Sequence, residues 1–296
     1  MEQLPPVPPD SSFPMLVPRG FAQRMAKGDP SDPLLRQVWP ELSESVAADS
    51  ELADPVGDMA ASKAPGLLQK YAGRALLVAT GACAVHCRYC FRQNFPYDES
   101  ARSREQWLSQ VSHLRQDPSL QEVVLSGGDP LMLPDSVLEG RIADLGTIPH
   151  LATLRIHTRL PVVVPSRVTD DFCRILSETR LRAVLVLHAN HPAEIDASVA
   201  MAVSRLRLAG ATVLNQSVLL AGINDSVPTQ ENLSRALWNA GVLPYYLHML
   251  DRVKGSSRFA VPDGVGIRLI EALRARLPGY LVPRLVREIE GATSKT

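Results

Sequence analysis

The 296-residue chain has no surplus of either charge: 31 Lys plus Arg stand against 31 Asp plus Glu, for a formal net charge of +0. The basic excess that nucleic acid or an anionic membrane demands is therefore missing, and a small-molecule or protein substrate is expected instead. No apolar run approaches the roughly 18 residues of a membrane-spanning helix. The opening residues, from Met1 to Asp10, lack the basic and apolar regions of a secretion signal, so the expected location is the cytoplasm, off the membrane. There are only four cysteines, and three of them, Cys83, Cys87 and Cys90, crowd into eight positions. That grouping excludes a disulfide framework and suits a metal or cluster site in a reducing compartment. Tandem repeats and low-complexity tracts are absent as well.

What is present is an ordinary globular balance, 45% apolar and 21% charged, enough to bury a full core. Residues 1–70 are rich in Pro, Asp and Ser with short apolar stretches, which predicts an N-terminal extension of brief helices and turns. From Arg74 onward, short runs of Val, Leu and Ile alternate with segments of helical period. Strands are expected at 75–80, 122–126, 153–158, 182–188, 212–218 and 243–248, with helices at 104–116, 135–145, 169–179, 194–209, 229–240 and 263–277. Near-continuous apolar strands imply a parallel sheet covered by helices, and six βα units are too few to close an eight-stranded barrel. The expected fold is thus α/β, a partial open (β/α)6 barrel over residues 71–285, followed by a tail at 286–296. Chemistry in such barrels sits at the C-terminal strand ends, where Ser126, Gly127, Gly128, Asp129, His157, Arg159, His188 and His248 fall.

The sharpest signal is Cys-x3-Cys-x2-Cys on the loop after the first barrel strand. Three thiolates on a cubane leave a fourth iron open to an exchangeable ligand. A structural zinc site would want a fourth protein ligand, from His86 or further away, and paired Cys-x2-Cys spacing. An iron–sulfur sensor using the cluster as a redox switch is a non-enzymatic alternative.

That motif resembles the radical S-adenosylmethionine superfamily. Within it, the stretches Cys87–Arg92, Leu125–Pro130, Arg155–Pro161, Asn215–Asp225 and Pro244–His248 resemble the lysine 2,3-aminomutases, most closely the short bacterial branch that makes β-lysine for modifying elongation factor P. The resemblance implies a [4Fe-4S] cluster on Cys83, Cys87 and Cys90, S-adenosylmethionine on the open iron, and pyridoxal 5'-phosphate held by Lys295 as a Schiff base. It implies an isomerase that interconverts L-α-lysine and β-lysine through a 5'-deoxyadenosyl radical, with flavodoxin or ferredoxin as reductant. By the same resemblance, Lys70, Tyr71 and Arg74 contact pyridoxal phosphate; Arg92 takes the substrate carboxylate; Asp251 and Glu288 take its side-chain amine. Ser126, Gly127, Gly128, Asp129, His157, Arg159 and Gln216 are candidates for S-adenosylmethionine. Lys70 and Glu288 replace an arginine and an aspartate of the longer branch, which also has glycines before the lysine and a further C-terminal extension. A radical enzyme of another reaction type, without pyridoxal phosphate, is the rival within the superfamily. The N-terminal extension could serve subunit contacts in a homo-oligomer, and the tail is expected to be ordered by the cofactor. Cys173 is expected in the core, and His113, His150 and His191 in structural or solvated positions.

Overall fold

The computed structural model describes residues 13–45, 51–97 and 103–296. One nine-stranded sheet runs in chain order from β1 to β9 without closing on itself. The strands β3 (Arg74–Thr80), β4 (Glu122–Gly127), β5 (Thr153–Thr158), β6 (Arg182–Leu187), β7 (Thr212–Val218) and β8 (Leu243–His248) are the six expected from the apolar runs. All are parallel, and β9 (Arg284–Val286) adds a further parallel strand beside β8. Three residues are too few to carry a strand period, so β9 was not legible in the sequence. At the other edge, β1 (Ser62–Ala64) and β2 (Leu67–Leu68) form an antiparallel hairpin on β3. The extension is therefore less helical than expected: its described part holds the single turns α1 (Arg19–Ala22) and α2 (Pro33–Arg36) and a 3-10 turn, and its hairpin belongs to the barrel sheet.

The covering helices are α3 (Arg104–Gln116), α4 (Asp135–Gly146), α6 (Asp170–Glu178), α7 (Ala197–Leu208), α8 (Val227–Asn239) and α9 (Asp263–Arg274), with the single turn α5 (Leu160–Val163) after β5. Their starts follow capping chemistry. The side chains of Ser103, Thr169, Asp196 and Ser226 each accept a first-turn backbone N–H. Between these helices and the outer strand face lies the main core, where Leu77, Val123, Leu125, Leu154, Ile156 and Leu185 meet Trp107, Leu138, Phe172 and Leu206. Because strand side chains alternate, the residues between those apolar ones turn to the barrel lumen: Arg74, Glu122, Ser126, Arg155 and His157.

The extension is tied down by its own small core of Phe21, Leu34 and Val38 against Val85 and Val163. Burying a side chain such as Phe21, which is 0% exposed, stabilises by roughly 1.5–3 kcal/mol. Cys173 packs against the main core. His113 and His150 bond backbone carbonyls, and His191 caps a 3-10 turn, as expected of structural histidines.

Candidate active site

The loop leaving β3 carries Cys83, Cys87 and Cys90, all free thiols and partly exposed. The second-strand motif buttresses it. The N–H groups of Gly128 and Asp129 donate to the carbonyls of Thr80 and Ala82 at 2.7 and 2.8 Å. A Cβ on Gly127 would stand 2.5 Å from the Thr80 oxygen, and one on Gly128 2.3 Å from the Ala82 oxygen. Only glycine permits that approach of two backbones, so these positions shape the cysteine loop itself. Asp129, expected at a cofactor, has both carboxylate oxygens taken by Thr158 Oγ1 and by the N–H groups of Leu131, Arg159 and Leu160. Burial raises its pKa to about 6 in spite of these bonds.

The extension grips the same loop from outside. The His86 N–H donates to Leu16 O, its ring Nδ1 lies 2.7 Å from Pro14 O, and Arg88 donates to Phe13 O while pairing with Glu44. Burial, then repulsion from the Cys90 and Cys87 thiols, pushes Cys83 up; burial, then the Cys87 thiol, takes Cys90 to about 12. Among the described residues no three His, Cys, Asp or Glu side chains are gathered for a single metal ion. A cubane, whose thiolates ligate different irons, calls for a wider arrangement than zinc does.

Beneath the loop lies a polar network that is closed except at Arg159 Nε, which is buried without a hydrogen-bond partner among the described residues. Arg159 donates from Nη1 to Cys87 Sγ (2.7 Å) and Tyr89 Oη (2.9 Å), and from Nη2 to Gln37 Oε1 (2.7 Å) and Glu194 Oε2 (2.9 Å). Asn190 joins Gln37 and Tyr89, and Tyr89 bonds His188. Glu194 is 0% exposed, and its pairing with Arg159 overcomes burial to keep it ionised. Arg159 thus points its guanidinium at a cluster thiol and at the extension.

A second network is open to the lumen and runs across the barrel mouth. Arg92 donates from Nε to Asp58 Oδ2 (2.6 Å) and from Nη1 to Ser126 Oγ (2.9 Å). Lys70 Nζ pairs with Asp58 Oδ1 at 2.7 Å and Glu288 Oε1 at 3.1 Å, and donates to Val56 O at 2.8 Å. In this arrangement Lys70 faces the acidic side of the site, hydrogen-bonded to Val56 and Glu288 and ion-paired with Asp58. Glu288 Oε2 then takes Lys295 Nζ at 3.1 Å. Lys295 also lies 5.7 Å from the Tyr246 ring centroid, and Thr296 pairs with Arg287 through both backbone groups, so contacts within the chain tie the tail. Burial, then the nearby Glu288 carboxylate, pushes the Tyr71 hydroxyl up, and Arg74 lies over its ring at 5.2 Å. Asp251, on the loop after β8, is raised to about 7 by burial and then by Glu288, against the pull of Lys295 and Lys70.

Three imidazoles face this lumen uncharged. Burial, then Arg155 and Lys295, holds His157 well below its ordinary value; burial, then Lys295, does so for His248; burial, then Arg159, takes His188 to about 3. His157 Nε2 is buried without a hydrogen-bond partner. Gln216 lies on β7 beside Tyr246 of β8. A cavity of about 220 Å³ opens against Arg92 and Asp58, walled by Met59, Phe91 and Phe95. The residues that sequence reasoning missed, Asp58, Gln37 and Glu194, belong to no motif; the one faint cue was the Asp54–Asp58 stretch, in which Asp54 accepts the Asp58 and Met59 N–H groups.

The Radical SAM superfamily matches residues 77–191. The L-lysine 2,3-aminomutase of Haemophilus influenzae is 46% identical over 284 residues, covering 96% of this chain and 84% of that protein. That of Escherichia coli is 46% identical over 284 residues, covering 96% and 83%. That of Clostridium subterminale is 36% identical over 286 residues, covering 96% and 68%. Among solved structures, a radical SAM methyltransferase from Sphaerobacter thermophilus matches 77% of this chain and 71% of its own with TM-score 0.51; at 19% identity this speaks for the fold alone. With three clustered thiols at the mouth of an open parallel barrel and relatives matched over nearly its whole length, the chain belongs to the lysine 2,3-aminomutase family of radical SAM enzymes.

Proposed function

We propose that the chain is an L-lysine 2,3-aminomutase. The observation that carries the reading is the open network, which puts a guanidinium beside the cysteine loop at one end and two acids with a lysine amine at the other. An amino acid with a charged side chain needs that distribution: its carboxylate seeks the cation, its distal ammonium the acids.

The residues fit the cofactors of the family. Three free thiols on one loop, with an N–H of Arg159 on Cys87, suit the cluster. The unpartnered Nε2 of His157 suits a polar cofactor entering the lumen, for which Ser126 and Gln216 are further candidates. Lys295 on the Tyr246 face, with Tyr71 and Arg74 nearby, suits pyridoxal phosphate. When bound, these groups supply a carbon-centred radical that takes a hydrogen from the substrate and a ring that carries the migrating nitrogen from C2 to C3.

The protein's own share is positional. Cys83, Cys87 and Cys90 hold three irons and leave one open. Arg92 has its Nε side committed to Asp58, which leaves its Nη2 end for a carboxylate. Glu288, ionised between two ammonium groups, exchanges the Lys295 ammonium for that of the substrate once Lys295 is engaged elsewhere. Asp251, poised at about 7, gives up its proton when a cation arrives. Neutral His157, His188 and His248 line the lumen without adding charge near a radical, and the buried wall excludes the water that would quench it.

Residues 1–70 serve as an extension, whose described part is clamped on the barrel of 71–285, and 286–296 as the lysine-bearing tail. No described helix is long and apolar enough to cross a membrane. A cytoplasmic location, a flavodoxin or ferredoxin reductant, a homo-oligomer and supply of β-lysine for elongation factor P complete the proposal. The test is anaerobic incubation of reconstituted protein with dithionite, S-adenosylmethionine, pyridoxal phosphate and L-lysine. β-Lysine is expected from the native chain and none from Lys295→Ala; its formation by the variant would remove Lys295 from the mechanism.

A further inference from the structure

Asp58 touches neither end of the substrate in the reading above, yet both ends are tied to it. We propose that Asp58 is a positioning residue that sets the separation between the carboxylate and ammonium sites, and so the chain length of the diamino acid accepted. The proposal rests on the aminomutase reading.

The Asp58 carboxylate is 2% exposed on its side chain and engages one recognition end with each oxygen. Oδ2 holds Arg92 at 2.6 Å; Oδ1 holds Lys70 at 2.7 Å, and Lys70 holds Glu288 at 3.1 Å. Arg92 and Glu288 are thereby referred to one anchor, through one contact and two contacts respectively. The anchor is itself immobilised. Its N–H donates to Asp54 Oδ1 at 3.0 Å, and the next N–H to Asp54 Oδ2 at 2.8 Å. Gly57 has φ +68°, and a Cβ there would stand 2.7 Å from Glu290 Cγ, so the loop is pressed against the lysine-bearing tail. Burial opposes ionisation of Asp58, and Arg92 followed by Lys70 overcomes it, so two cations share a single buried anion.

The change Asp58→Asn keeps the size and the backbone bonds but replaces one acceptor with an NH2 group, which must face either Arg92 or Lys70, donor against donor. One end of the site is then released. A released end tolerates a ligand one methylene shorter, which a fixed pair of ends rejects; one methylene discriminates by about 10–200-fold in a well-fitted pocket.

The experiment titrates the holoenzyme, with cluster and pyridoxal phosphate but no reductant, with L-lysine and L-ornithine, following the absorbance change as ligand displaces Lys295. Native protein is expected to prefer lysine by about tenfold or more. Asp58→Asn should lose lysine affinity and bring the two ligands within about threefold, while Asp58→Glu, which restores both acceptors but one methylene further out, should bind lysine better than Asp58→Asn does and still shift the ratio from the native one by more than about threefold. Weaker binding with an unchanged lysine-to-ornithine ratio, or no change in either, overturns the proposal. Should Asp58→Asn fail to fold, Asp58→Glu decides alone: with its carboxylate one methylene further out it must shift the ratio by more than about threefold, and an unchanged ratio rejects the ruler. A native holoenzyme that binds neither ligand rejects the aminomutase reading itself, a result separate from any variant.

Discussion

The two polar networks beside the cysteine loop each centre on a buried arginine, Arg159 in one and Arg92 in the other, and differ in closure. In the one beneath the cysteine loop, Arg159 faces Cys87, Tyr89, Gln37 and Glu194, and Tyr89, Gln37 and Glu194 are held by further bonds, which leaves Arg159 Nε as the one guanidinium nitrogen without a partner among the described residues. In the other, cations and anions alternate from Arg92 through Asp58, Lys70 and Glu288 to Lys295, and the chain ends beside Asp251, which stands half-satisfied at about 7. A network whose buried charges are already paired specifies one geometry, and a ligand gains little by breaking those pairs. An open one holds charges that a ligand of matching ends can satisfy better than the chain does. Closure therefore separates the scaffold of the site from its recognition surface.

The strongest way to break this comparison is to open the closed network. Arg159→Met leaves Glu194 charged and fully buried, and should cost about 3–5 kcal/mol in denaturant unfolding, with Arg159→Met/Glu194→Met recovering much of it. A loss below 1 kcal/mol would mean that the network is not closed in the sense used above. Next comes Gln37→Leu, which strips an acceptor from Arg159, Tyr89 and Asn190 and should cost about 1–3 kcal/mol by the same measurement.

An effect of similar size that depends on pH comes from Asp251. Its folded pKa of about 7 lies above the unfolded value near 3.8, so the native state keeps a proton that the unfolded chain releases between those limits. Its contribution to stability is fully present below about pH 4 and is lost as pH rises to about 7, with a slope of at most about 1.4 kcal/mol per pH unit. Comparing unfolding of native protein and Asp251→Asn at pH 5 and 8 isolates that slope, and a pH-independent difference between them counts against the raised value. The smallest change is expected from Lys295→Ala, which vacates one side of an ion pair whose lysine side chain is 23% exposed. Its melting should shift by less than about 1 kcal/mol while β-lysine formation is lost. A large destabilisation would place Lys295 in the scaffold instead.

The difference in legibility follows the same division. The cysteine triad and the six main strands depend on residues close in sequence, so spacing and apolar period reveal them. Lys295, Arg92, Asp251 and Glu288 came from resemblance, and the structure brings Lys295 to Glu288 and Arg92 into the one alternating chain. Resemblance suggested Lys70 for a phosphate, and the fold adds neighbours that no local pattern announced, Val56, Asp58 and Glu288. Gln37 and Glu194 are 157 positions apart, and no local pattern could pair them.

By itself the sequence determined the order of βα units, the loop that presents three thiols, and the neutral overall charge, because each depends on neighbours along the chain. Only the tertiary structure decided which charges are shared. The extension and the tail, far apart in sequence, fold onto opposite edges of one open sheet, and their meeting at Lys70 and Glu288 turns isolated surface charges into a buried, competing set. Burial made those charges too costly to leave alone, and the geometry of their partners chose which remain available to a substrate.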